Sequence, residues 1–246
     1  PCLLFNVRHA PFDNVVVRRA FSLGLDYAAL AEKVMDGVYV TSTGFYPPGF
    51  SWAVQNQKTD LGEARKLLND AGWELNSNGV RERDGVPLEA TLLVYPQQPD
   101  WITLATAVQG QMRDLGMRLS IRQVDDIDAA MQNPSDWNVA VYSLGVVTTG
   151  GSPDPILSES FHSRAEQNYG GVADAEMNKL IEDLGQTFAD EKRTELLKRI
   201  QQSVIVEKAY QIRPLFSRAR VVVGPAYRNY QPSPLLHHVT YETKPG

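Results

Sequence analysis

Hydrophobic positions along this chain switch repeatedly between a spacing of two and a spacing of three to four, which predicts alternating strands and helices and an α/β fold. Leu3 to Val7 reads as a strand. Asp13 then stands where an N-cap belongs, ahead of a helix with Val17, Ala20, Phe21 and Leu25 on one face. Asp26 caps a second helix with Leu30 and Val34 inward, and Gly37 suits the left-handed position beyond its end. Thr41 to Trp52, containing Pro47-Pro48-Gly49, reads as a loop. A capping-box pattern at Asp60 to Glu63 opens a helix with Ala64, Leu67 and Leu68 inward, closed by Ala71-Gly72-Trp73.

Arg83-Asp84-Gly85 predicts a hairpin turn, and Leu88 to Tyr95 alternates as a strand. Trp101 to Gly116 has helical period, Met117 to Val124 alternates, and Trp137 to Leu144 is a mostly apolar strand. Strand, helix and strand at that spacing predict a right-handed parallel crossover. A Gly/Pro-rich loop, Gly145 to Pro155, precedes a short helix and two amphipathic helices near Asp174 to Phe188 and Asp190 to Glu207. Strands return at Tyr210 to Phe216 and Arg218 to Val223, before a Pro-rich tail.

Composition narrows the function classes. At 246 residues, 43% hydrophobic and 22% charged, the chain can bury one large core or two modest ones. Its net charge of −5 and its scattered Lys and Arg speak against a nucleic-acid partner. Apolar runs such as Val15 to Val17 and Val221 to Val223 fall far short of the roughly 20 residues a bilayer span needs. Pro1-Cys2-Leu3-Leu4 shows no signal-peptide pattern, which says little if the chain is a piece of a longer one. The single cysteine, Cys2, rules out an internal disulfide and any multi-cysteine metal site.

Catalytic patterns are missing. There is no Gly-x-Ser-x-Gly elbow, no Cys-x-x-Cys and no His-x-x-x-His among His9, His162, His237 and His238; neighbouring rings such as His237 and His238 point oppositely on an extended segment. Asp125, Asp126 and Asp128 lack the glycine and closing Glu of a Ca²⁺ loop and read as a helix start, with Asp126 the cap. Gly150-Gly151 lacks a P-loop lysine. No cofactor and no metal ligand set is called for. The loop Ser143 to Asp154 is the candidate for ligand contact, because its small hydroxyl residues and glycines let backbone groups approach a guest; an ordinary strand-to-helix turn is the alternative.

In order along the chain, Phe5-Asn6, Pro11-Phe12-Asp13, Val17-Arg18-Arg19-Ala20, Asp26-Tyr27, the Ala64 to Trp73 helix, Met112 to Gly116 and Asp154-Pro155 resemble extracellular solute-binding proteins of the peptide/nickel ABC-importer family. The resemblance implies a periplasmic-binding-protein-like (type II) lobe, a mixed sheet flanked by helices, cut from a two-lobed clamshell. It places hinge strands at residues 1–8 and from 211 onward, a ligand-binding lobe at 9–210, and a segment through 246 that packs on an absent N-terminal lobe. The expected function is capture of an oligopeptide or dipeptide for import, with a nickel or other metal chelate as the alternative substrate and a sensor or chaperone-like module as the alternative class. The expected partners are the ligand, ABC permease subunits and the missing lobe of a monomeric protein, periplasmic or, in a Gram-positive host, lipid-anchored.

The same resemblance makes the loop Ser143 to Asp154 a ligand-lining one, nominating Ser143, Thr148, Thr149, Gly151, Ser152 and Asp154. Peptide binders of the family carry an amine-pairing aspartate where this chain has Gly151, so that contact is not transferred. In the loop from Tyr95 to Trp101, Gln97 and Gln98 stand where peptide binders place an Arg or His. Trp101 either stacks on a guest or caps its own core, Tyr46 and Trp52 either line the cleft or pack a turn, and Tyr142 either faces the ligand or packs inward.

Overall fold

Strand β1 (Cys2–Phe5) runs through the interior of a five-stranded sheet, and both faces of that sheet are covered by helices. The computed structural model describes residues 1–143, 152–217 and 222–230. In chain order β1 is followed by α1 (Val15–Gly24), α2 (Tyr27–Ala29) continuing as a π-helical segment over Leu30–Val34, β2 (Tyr39–Thr41) and α3 (Leu61–Asp70). A small three-stranded sheet of β3 (Glu74–Leu75), β4 (Arg81–Arg83) and β5 (Val86–Pro87) leads to β6 (Glu89–Val94), α4 (Pro99–Leu115), β7 (Arg118–Gln123), α5 (Ile127–Gln132) and β8 (Val139–Tyr142). Then come α6 (Asp154–Phe161), α7 (Ala175–Gln186), α8 (Asp190–Gln202) extended by a π-helical Ser203–Glu207, β9 (Gln211–Ile212) and β10 (Leu215–Ser217).

The large sheet has the order β7-β6-β8-β1-β9, with β6 parallel to both β7 and β8, and β1 antiparallel to both β8 and β9. Side chains alternate across its strands. Leu3, Phe5, Leu92, Val94, Val139, Val141 and Ile212 pack against α1, α3 and α4. Leu4, Leu93 and Ala140 meet α5 and Trp137, and Cys2 meets the α6 to α8 side. The α/β reading therefore holds: the sheet is mixed and flanked by helices on both faces.

Most predicted boundaries are observed within a residue or two. Asp26 accepts from the Ala29 N–H, Asp60 from Glu63 and Asp126 from Ala129, the capping geometry their positions predicted. Asp84 and Gly85 both adopt positive φ, 54° and 76°, as a tight two-residue hairpin requires. Gly116, at φ 92°, ends α4 in the left-handed conformation.

Three expectations are corrected. The cap of α1 is Asn14, whose Oδ1 accepts from the Val16 N–H, while the Asp13 N–H donates to the His9 carbonyl one turn earlier. Thr41 is not loop, because it ends β2, paired with Leu215 of β10. Of the strand expected over residues 218–223, 218–221 lie outside the described residues, and Val222 and Val223 form no strand.

Helix α7 begins at Asp174, which accepts from the Glu176 and Met177 N–H groups and the Tyr210 hydroxyl, and lies 3.5 Å from the Lys208 ammonium. Burial pushes this carboxyl up, but the Tyr210 hydroxyl, the Met177 N–H, Lys208 and the Glu176 N–H together hold it below the ordinary carboxylate value. A depressed folded pKa contributes stability that is present above the unfolded value, about 3.9, and lost as pH falls through the folded pKa. Asp174→Ala is therefore expected to cost about 1–2 kcal/mol at pH 7 and progressively less toward pH 2. Urea unfolding at both pH values checks this; a difference that stays constant would contradict it.

Candidate functional site

Strand direction gathers the candidate loops at one end of the sheet. Because β6, β7 and β8 are parallel, the segments that follow them, beginning at Tyr95, Val124 and Ser143, leave from the same edge. Cys2 pairs with Tyr142, so the first residues of β1 lie at that edge too; Leu3 pairs with Ile212, so β9 exits there. Open α/β sheets bind ligands outside the carboxyl ends of their strands. Here that end is also where the chain enters and leaves the sheet.

Counting on from the observed pairs puts one side chain from each of four strands in a row across this edge. Leu93 opposite Ala140 places Tyr95 beside Tyr142, and Leu4 opposite Gln211 places Arg213 beside Cys2. Arg213 is 3% exposed, with its guanidinium carbon 4.6 Å from the centre of the Phe45 ring. Burial lowers its pKa, an effect opposed by Cys2 and Tyr46. Tyr95 is pushed up to about 12 by burial first, then by Cys2 and Asp128.

Asp128 was read in the sequence only as part of a helix start. Asp126 is indeed the cap, which leaves Asp128 one residue into α5 and turned toward the strand edge. Its Oδ1 accepts from the Tyr142 hydroxyl at 2.6 Å. The Tyr169 ring stands edge-on to Tyr142, centroids 6.0 Å apart. Burial raises the pKa of both phenols, and the Asp128 charge with its hydrogen bonds adds to this. Tyr169 is held by Arg8, whose Nη1 donates to the Tyr169 carbonyl at 2.7 Å. Gly171, at φ 73°, makes room for that guanidinium, since a Cβ there would lie 2.3 Å from the Arg8 Cζ.

The nominated residues divide between surface and core. Gln97 and Gln98 are exposed; Gln97 Nε2 donates to the Asp125 carbonyl at 2.9 Å, tying two of the turns together. Ser143 and Ser152 are exposed, while Thr148, Thr149 and Gly151 lie outside the described residues. Tyr95 is partly buried and meets Trp101 edge-on at 5.4 Å. Trp101 is 5% exposed and belongs to the core packed against α1, α3 and α4. Tyr46 is 1% exposed and its hydroxyl donates to the Pro153 carbonyl at 3.0 Å, just before α6. Trp52 stacks on Phe50, the turn-packing alternative. Asp154 is engaged by Arg193 at 2.6 Å, whose other nitrogen donates to the Leu184 and Thr187 carbonyls. Asp154 therefore joins α6, α7 and α8 at this end.

Sequence reading missed Asp128, Tyr169 and Arg213. For Arg213 a signal existed: its period-two spacing from Gln211 puts it on the opposite face from Ile212. Tyr169 comes 27 positions after Tyr142, and nothing local links them.

Residues 2–168 match the family described as bacterial extracellular solute-binding proteins, family 5, middle region. That match covers well over half of the chain. The chain belongs to this family. Among individual relatives of this family-5 chain, it is 28% identical over 200 residues to the oligopeptide-binding protein OppA of Lactococcus lactis subsp. lactis (strain IL1403), covering 75% of this chain and 32% of that protein. It is 25% identical over 205 residues to the dipeptide-binding protein of Escherichia coli (strain K12), covering 81% and 37%. A solved nickel ABC transporter structure from Bacillus halodurans shares its fold with a TM-score of 0.79 and 24% identity, over 87% of this chain and 45% of that one. The family-5 chain thus spans 32–45% of the length of these proteins. No helix among its described residues is long and apolar enough to cross a membrane.

Proposed function

We propose that this chain is the ligand-binding lobe of a two-lobed solute trap that captures an oligopeptide or dipeptide for an ABC importer. The observation that carries the reading is the convergence of the carboxyl ends of β6, β7 and β8 with the start of β1 and the end of β9 at one end of the sheet. A lobe joined to a second lobe through β1 and β9 would hold its cleft there, with residues 9–210 as one jaw and the segment from 211 through 246 returning to the other. Relatives named for oligopeptide and dipeptide binding support the substrate class.

A nickel or other metal chelate is the second reading, supported by the fold likeness to the nickel transporter of B. halodurans. Among the described residues no three His, Cys, Asp or Glu side chains are grouped to hold a bare ion, so such a cargo would be held through its organic ligand. The protein acts by closure, with no chemical step. Ligand stabilises the closed state by contacts that only that state supplies, and permease subunits read the closed shape. The location that fits is outside the cytoplasmic membrane, periplasmic or held by a lipid anchor, with the protein a monomer.

Affinity in such a trap is shared between jaws. Titrating the complete protein and this chain alone with the same oligopeptide mixture is expected to show binding weaker by about 100-fold or more for the chain alone, the loss of roughly 2.7 kcal/mol of interlobe contact. Equal affinities would contradict the clamshell.

A further inference from the structure

Four elements bring aromatic hydroxyls and one carboxylate together at the cleft end: Tyr95 after β6, Asp128 in α5, Tyr142 at the end of β8, and Tyr169 in the turn before α7. Asp128 is exposed, and among the described residues no Lys, Arg or His forms an ion pair with it. Its neighbours in sequence are otherwise occupied, since the Asp126 carboxylate caps α5 and the Asp125 carbonyl accepts from Gln97. One oxygen of Asp128 takes the Tyr142 hydroxyl, which fixes the direction of the carboxylate, and the raised pKa values of Tyr142 and Tyr169 keep both phenols as donors at neutral pH. The exposed carboxylate lies beside the Tyr142 and Tyr169 rings, which meet edge-on.

An oriented carboxylate with no counter-ion among the described residues, bordered by aromatic rings, attracts a cation through charge and through the ring quadrupoles. A bare metal ion would need further ligands, which the described residues do not group there. An anion would meet Asp125, Asp126 and Asp128 together. An organic ammonium fits: it presents three donors to a carboxylate and an alkyl portion to the rings.

We propose that Asp128, steadied by Tyr142 and Tyr169, receives the ammonium end of the ligand. This rests on the solute-trap reading above. It also moves amine recognition to a different loop from the one holding Gly151, on residues that no local motif marks.

The test uses the complete protein and two synthetic tripeptide libraries, one with free amino termini and one N-acetylated, measured by calorimetry with wild type, Asp128→Asn and Tyr142→Phe. Asp128→Asn removes charge from an exposed residue that is not the helix cap, and Tyr142→Phe keeps the ring while removing the donor. The expected result is a loss of about 10- to 100-fold for the free-amine library with Asp128→Asn, a smaller loss with Tyr142→Phe, and no change in whatever the acetylated library retains. Unchanged binding of the free-amine library by Asp128→Asn would overturn the proposal and leave the solute trap standing. Equal weakening of both libraries would also overturn it, as a structural effect. Failure of wild type to bind either library would instead remove the peptide reading on which the proposal rests.

Discussion

Replacing Phe21 by alanine is expected to cost about 3–5 kcal/mol, enough to lower the melting temperature by roughly 6–20 °C in a chain of this size. Phe21 is fully buried in the core between the sheet and α1. Its ring meets Phe5 edge-on at 5.2 Å and Phe12 at 5.7 Å, and Phe5 and Phe12 are themselves 4.5 Å apart. Truncation removes the transfer energy of one ring and leaves a cavity that two other rings cannot fill without leaving their own contacts. Phe21→Leu, which refills part of the volume, is expected to cost about 1.5 kcal/mol or less. Scanning calorimetry of the three proteins decides; an alanine variant melting within 2 °C of its parent would mean that the three rings do not form one packed unit.

Loss of the Arg18 guanidinium is the second large effect. Arg18 is 4% exposed, and its Nη1 donates to the carbonyls of Phe12 at 2.6 Å and Asp13 at 3.1 Å, while Nε donates to the Lys208 carbonyl at 2.8 Å. Its Cζ lies 5.4 Å from the Tyr210 ring centre. The side chain thus ties the turn before α1 to the segment leading into β9. Burial lowers its pKa to about 10, and Tyr210 and Asp13 limit the fall, so it is charged at neutral pH. Arg18→Leu would leave these carbonyl oxygens buried without donors, at about 2–4 kcal/mol in all. Arg18→Lys is expected to rescue little, because one ammonium cannot reproduce donors held in a planar fork. Urea midpoints measure this; full rescue by lysine would show that charge alone matters there.

How much of this was legible in advance depended on the range of the interaction. Asp26, Asp60 and Asp126 were identified as caps because a side-chain oxygen and the N–H it accepts from are only three residues apart. Asp13 failed as a cap for an equally local reason: Asn14 offers the same chemistry one position later, and pattern alone cannot separate adjacent candidates. Tyr46 and Trp101 illustrate the harder case. An aromatic residue in a loop has the same sequence signature whether it faces a ligand or a core, and only the Pro153 carbonyl behind Tyr46 and the Tyr95 ring beside Trp101 show which neighbours each has.

By itself the sequence determined the periods of the strands and helices, their caps and turns, and therefore the α/β architecture, since all of these follow from backbone sterics and contacts a few residues apart. Tertiary structure alone decided which loop residues meet. Asp128 and Tyr169 reach Tyr142 across 14 and 27 residues because strand order and a guanidinium from Arg8 carry them to the same edge. Contacts of that kind depend on how elements pack over the sheet, and packing leaves no periodic trace along the chain.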